Sequence, residues 1–206
     1  NLSIGGLNPL AVKYYLKLGA KIIWMPTLHA RNQIEYFGRD PFANHPGIRL
    51  LDENGDLKPE VLEILDLIKE YDATIATGHI SIGESIAVCN AARERGVRTV
   101  LTHPDWTCTT VPADVQTQLV KKGVILEKLW FDIGINHVTA EYMAQTIRDA
   151  GVENCFMATD RGQSGKEYPV EGLMMFMDAM LDCGFSVEEI HIMTHENPER
   201  VLGLRP

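Results

Sequence analysis

The sequence predicts a parallel α/β fold and, within that class, a (β/α)8 TIM barrel. Three observations carry this. Short apolar, β-branched runs alternate with amphipathic helical periods. Glycines fall just after the helices and lead into the next run. Side chains capable of chemistry close one strand after another. Strands are expected at 20–27, 73–79, 98–104, 124–131 and 155–160. Each is nearly continuous in apolar residues, as strands covered on both faces are. Helical periods fall at 59–71, 82–95, 113–122, 139–150 and 170–183; the first sets Val61, Leu62, Leu65 and Ile68 on one face. Strict strand-then-helix alternation implies parallel pairing with right-handed crossovers. An open doubly wound sheet would gather its ligands at one switch point, and no G-x-G-x-x-G marks such a point here. Strand-end residues spread over His79, His103 and Asp160 suit a ring converging on one axis.

Composition bounds the function. With 45% hydrophobic residues over 206 positions, the chain can bury one sizeable core, and a single domain spanning 1–206 is expected. Lys plus Arg number 19 against 28 Asp plus Glu, a net charge of −9. That acidic balance argues against nucleic acid or anionic lipid as a partner. No apolar run is long enough to span a membrane, and nothing resembles a signal peptide. Cys89, Cys108, Cys155 and Cys183 are far apart and read as reduced thiols of a cytoplasmic protein.

His79 ends Thr77-Gly78-His79, and His103 ends Thr102-His103-Pro104 one strand–helix unit later. Two imidazoles at the same level of neighbouring strands are good ligands for zinc or another divalent ion such as manganese. Asp160, closing the last strand, could ligate the metal and also move the proton of the attacking water. Glu127, inside its strand, serves either as a further ligand or as a buried carboxylate paired with Lys128 or Arg98. The long connection 28–58 carries His29, Arg31, Asn32, Tyr36, Arg39, Asp40, His45 and Arg49, and follows a strand's C-terminal end. It is expected to cover the active face, with His29 and Arg31 contacting substrate. Trp106 and Trp130 are expected to line a pocket, and Arg161 and Lys166 to be available to an anionic substrate. His191 and His195 are four apart on a helical stretch, but Ile192 stands where H-E-x-x-H requires Glu, so they read as a solvated pair.

The order T-G-H, L-T-H-P and A-T-D-R-G, closing on N-P-E-R-V-L-G-L (197–204), resembles the amidohydrolase superfamily. The resemblance covers nearly the whole chain. It implies a metal held by His79 and His103 of the fifth and sixth barrel strands and by Asp160 of the eighth. Asn197 would cap the closing helix, with Pro198 in its first turn. By the same count, 20–27 is the fourth strand and residues 2–4 are the end of the third. The superfamily's first-strand His-x-His occurs nowhere in the sequence. Residues 1–9 look like a strand end entering a helix, so an N-terminal part bearing that pair is expected to be missing. The implied activity is hydrolysis of an amide, ester or lactone bond of a small polar substrate by a metal-activated water. A decarboxylase or other lyase of the same superfamily, or a catalytically silent binding or assembly module, are the alternatives. A barrel open on two edges is also expected to self-associate as a homo-oligomer.

Overall fold

The structure, a computed structural model, describes residues 1–38, 45–135 and 138–204. Its centre is a five-stranded, wholly parallel sheet in sequential order. The strands are β1 (Ile22–Trp24), β2 (Thr74–Ala76), β3 (Arg98–Leu101), β4 (Val124–Leu129) and β5 (Cys155–Ala158). The helices are α1 (Pro9–Lys17), α2 (Arg31–Phe37), α3 (Pro59–Glu70), α4 (Ile82–Glu94), α5 (Ala113–Lys121), α6 (Ala140–Ala150), α7 (Pro169–Asp182), α8 (Val187–His191) and α9 (Asn197–Val201). No helix among the described residues is long and apolar enough to cross a membrane.

Strand alternation divides the chain into layers. Ile23 and Ile75 point outward onto α1 and α3, where Val12, Leu16, Val61, Ile64, Leu65 and Ile68 are buried with them. Leu101, Leu126, Cys155 and Met157 face Leu119, Met143, Ile147, Phe176 and Met180. The opposite face carries Ala76, Val100, Ile125 and Phe156, closed by Val201 from α9. Ala76, Val100 and Ile125 lie level because the register pairs Ala76 with Val100 and Val100 with Ile125, while Phe156 is paired with Glu127 one step higher. The result is an arc of barrel wall with an apolar inner floor, and side chains nearer the strands' C-terminal ends stand above that floor.

Local chemistry fixes the elements. Asn8 caps α1 by accepting from the Leu10 and Ala11 amides, with Pro9 in the first turn. Ser81 and Glu84 form a capping box at α4, and Glu84 also accepts the Leu50 amide at 2.7 Å, tying the long connection to the wall.

Several sequence expectations change. Leu2–Ile4 is a 3-10 turn rather than a strand end, because Gly5 and Gly6 take positive φ and return the Gly6 amide to the Asn1 carbonyl. The strands are shorter than expected, since Gly78, His103 and Asp160 all have positive φ and leave the ladder. The connection 28–58 is structured in part: it holds α2, a parallel bridge Ala30–Ile48 and an antiparallel bridge Leu51–Leu57. Arg39 and Asp40 lie outside the described residues. Asn197 is not a cap. A π-helical turn, Ile192–Glu196, joins α8 to α9, Asn197 has helical dihedrals, and its buried amide donates to the Val152 and Cys155 carbonyls.

Candidate functional site

The inner layer's upper end opens into a cavity of about 340 Å³ lined by Trp24, Thr27, His79, Thr102, His103, Glu127, Leu129, Ala158 and Asp160. Four of the residues singled out from sequence therefore share one wall: His79, His103, Glu127 and Asp160.

His103 is its centre. The residue is buried, and its Nδ1 lies 2.9 Å from Asp132 Oδ1 while Nε2 lies 3.3 Å from Asp160 Oδ2. Burial opposes a charge on the ring, but hydrogen bonds to Asp132 and then Asp160 outweigh it and raise the imidazole pKa to about 9. The backbone of both His103 and Asp160 is left-handed, with φ of 49° and 47°. Non-glycine residues rarely adopt that conformation, and when held there they tend to mark functional positions.

His79 stands beside it, with ring centroids 5.3 Å apart. Its amide donates to the Pro26 carbonyl at 2.9 Å, and its Nδ1 meets Gln33 Oε1 of α2. Burial, followed by the neighbouring His103 charge, lowers its pKa to about 3, so this imidazole is neutral. Gly78 brings the β2 loop against β1 so closely that a Cβ there would lie 2.5 Å from the Met25 carbonyl oxygen.

Glu127 points inward from β4 toward Thr102, and its Oε2 is buried without a partner at hydrogen-bond geometry among the described residues. Burial raises its pKa to about 7 against the pull of His103. The pairing with Lys128 or Arg98 does not occur: Lys128 points outward to Asp105 at 2.7 Å, and Arg98 pairs with Asp72. Trp106 packs against both imidazoles, at 5.1 and 5.2 Å between centroids, and against Phe131 at 6.0 Å. It backs the two rings rather than lining the cavity.

The other expected contacts are placed elsewhere. His29 is buried, its amide donating to Asn1 Oδ1 and its carbonyl accepting from Ile48, because it begins the Ala30–Ile48 bridge. Arg31 forms a surface i,i+4 pair with Glu35. Arg161 is largely buried and paired with Glu167, so it is not free for an anion; Trp130 also binds Glu167 and packs against Phe176, on the outer side. Lys166 is exposed. His191 and His195 are half-exposed, near Glu196 and Glu199 respectively.

Two site residues escape the sequence reading. Asp132 ends Leu129-Trp130-Phe131-Asp132 in a 3-10 turn just past β4. It could have been found by extending the strand-end rule one residue. Gln33 carries no such signal, since a glutamine in a long connection has no motif.

In kind, the donors suit a divalent ion: a neutral His79, a His103 whose Nδ1 is held by a buried carboxylate, and an Asp160 at the mouth. Glu127 adds that buried oxygen. They are not drawn into a closed cage, and among the described residues no three His, Cys, Asp or Glu side chains are grouped to hold a metal. The fit is that of a partly assembled site: His103 Nε2 faces Asp160 Oδ2 and would have to give up its proton before it could hold an ion.

Residues 1–127 match the model of a family described as "Family of unknown function (DUF6282)". The chain belongs to that family. No curated protein matches it. Among solved structures, an amidohydrolase from Pseudomonas aeruginosa is similar with a TM-score of 0.67 at 14% identity, over 95% of this chain and 67% of that one. A phosphotriesterase homology protein from Escherichia coli, complexed with phosphate in its active site, gives 0.58 at 17%, over 86% and 68%. A metallo peptidase from Rhodobacter sphaeroides, liganded with a phosphinate mimic of L-Ala-D-Ala, gives 0.61 at 13%, over 94% and 58%. The chain thus spans 58–68% of the length of these three proteins. At such identities the likeness concerns the fold alone: the five parallel strands and their helices match part of a TIM barrel.

Proposed function

We propose that the protein is a metal-dependent hydrolase that cleaves an amide, ester or lactone bond of a small polar substrate with water. The observation that carries this is His103, buried between Asp132 and Asp160 with both His103 and Asp160 in left-handed backbone above the barrel floor. The shared fold with hydrolases, one of them a metallo peptidase, supports it.

His79, His103 and Asp160 would hold the ion, with Glu127 as a further oxygen donor; zinc or manganese suits this mixture of nitrogen and oxygen ligands. When bound, a divalent ion supplies Lewis-acid polarisation of the scissile group and a lower pKa for water. The chain's own residues do the rest. Asp132 fixes the His103 ring through Nδ1 and so directs Nε2 toward Asp160. Asp160, its side chain 47% exposed, would take a proton from the attacking water and return it to the leaving group. Glu127, raised to about 7, would be a carboxylate oxygen donor to the ion above that pH and a carboxylic acid able to donate to a substrate oxygen below it. Arg161 and Arg31 are engaged with Glu167 and Glu35, which favours a neutral substrate over the carboxylic acid of a lyase.

A catalytically silent module is the second reading. The direct His103–Asp160 contact favours it, since that pair is satisfied without a ligand. A panel of amides, esters and lactones, assayed with added zinc or manganese on wild type and Asp160→Asn, separates the two. Turnover that falls about 10²–10⁴-fold in Asp160→Asn supports the hydrolase. Turnover unchanged by that substitution, or none on any substrate, contradicts it.

A further inference from the structure

We propose that Gln33 is a positioning residue for His79, and that α2 is a cover whose docking decides which imidazole nitrogen of His79 carries the ring proton. Gln33 is buried, and its amide oxygen Oε1 meets His79 Nδ1. With the amide oxygen turned to the ring, the matching tautomer carries its proton on Nδ1 and keeps the lone pair on Nε2. The neighbouring Asn32 donates to the His79 carbonyl at 3.1 Å and to the Cys108 carbonyl at 2.7 Å. Consecutive residues of one short helix thus grip both the ring and the backbone of His79.

The far end of α2 reaches the next strand's loop. Tyr36 donates to Thr107 Oγ1 at 2.7 Å, and the Phe37 ring lies 6.0 Å from Trp106, which itself lies 5.1 Å from His79. Lifting α2 removes the one acceptor that Nδ1 has among the described residues and frees the ring to exchange its proton between nitrogens. Resting on the metal reading above, the consequence is that a seated α2 prepares Nε2 as a ligand, whereas an undocked one withdraws it.

The test is nitrogen-edited NMR of the imidazoles in the metal-free chain, for wild type, Gln33→Leu, Gln33→Glu and Phe37→Ala, together with zinc affinity by chelator competition. The wild type is expected to show His79 protonated at Nδ1, and Gln33→Glu to retain that form. Gln33→Leu should move it toward protonation at Nε2 and weaken zinc binding about 10–100-fold. Phe37→Ala, which loosens the cover without touching His79, should shift it part of the way. A wild-type ring protonated at Nε2 overturns the proposal, as does an unchanged tautomer in Gln33→Leu. Should Gln33→Leu fail to fold, the wild-type and Phe37→Ala spectra decide the matter. Zinc binding absent from the wild type overturns the metal reading, while the tautomer spectra alone uphold or overturn the role of Gln33.

Discussion

His103 lies between two carboxylates, and this decides the charge of the site. With a pKa raised to about 9 from 6.5, it contributes stability in the metal-free protein that is fully present below pH 6.5 and lost as pH rises through 9. His79, lowered to about 3, contributes stability that is present above pH 6.5 and lost as pH falls toward 3. Glu127, raised to about 7 from 4.5, favours the fold below pH 4.5 and loses that contribution as pH rises to 7. From these three groups, the stability of the metal-free protein should rise from pH 3 to 4.5, stay level to 6.5 and fall toward 9. Urea midpoints across that range check it; a maximum near pH 9 would contradict the charge assignment. Asp132→Asn removes the carboxylate at Nδ1 and should bring the His103 pKa down toward its ordinary value, read by NMR titration. At this scale the sequence exposes His79, His103 and Asp160 because each ends a recognisable run. Asp132 was within reach, one residue past the expected strand end, whereas Gln33 stays hidden because its role comes from a contact 46 residues away.

Strand β4 shows how one element serves two layers. Alternation sends Glu127 inward to the cavity and Lys128 outward, where its ammonium meets Asp105, Gln116 and Thr146 with no exposed surface. Lys128→Met leaves Asp105 buried without its counter-charge and should cost about 3–5 kcal/mol, measured by urea unfolding. Adding Asp105→Asn should recover most of the loss; no recovery would mean that the ion pair is not what the site requires. Gly78→Ala would force a side chain into left-handed backbone and against the Met25 and Pro26 carbonyls. A loss of about 2–5 kcal/mol is expected. Strand positions were legible from apolar runs because both faces of each strand are covered. Their ends were not, since the runs continue into loops where His103 and Asp160 turn left-handed. The helix α2 was missed because its seven residues present no apolar face long enough to show a period.

Across the whole molecule, the sequential parallel order makes this an arc of barrel wall, with β1 and β5 at its two ends. Beside β1, α1 exposes Leu10, Tyr14 and Leu18 at helical spacing, and near β5, α7 exposes Val170, Met174 and Leu181. Apolar stripes at both ends of an open sheet favour association, so light scattering on the 206-residue chain should give a mass above the monomer's. A clean monomer would contradict that. The parallel class follows from strand–helix alternation and the barrel-like order from residues closing successive strands, whereas the curvature that brings Asp160 of the last unit against His103, two strands away, needed coordinates. The central claim is that these two residues hold a divalent ion. Metal content after loading with zinc or manganese and desalting tests it most directly, on wild type, His103→Ala and Asp160→Asn. Metal retained by the wild type and lost by both variants is the predicted result; equal content in all three would contradict it.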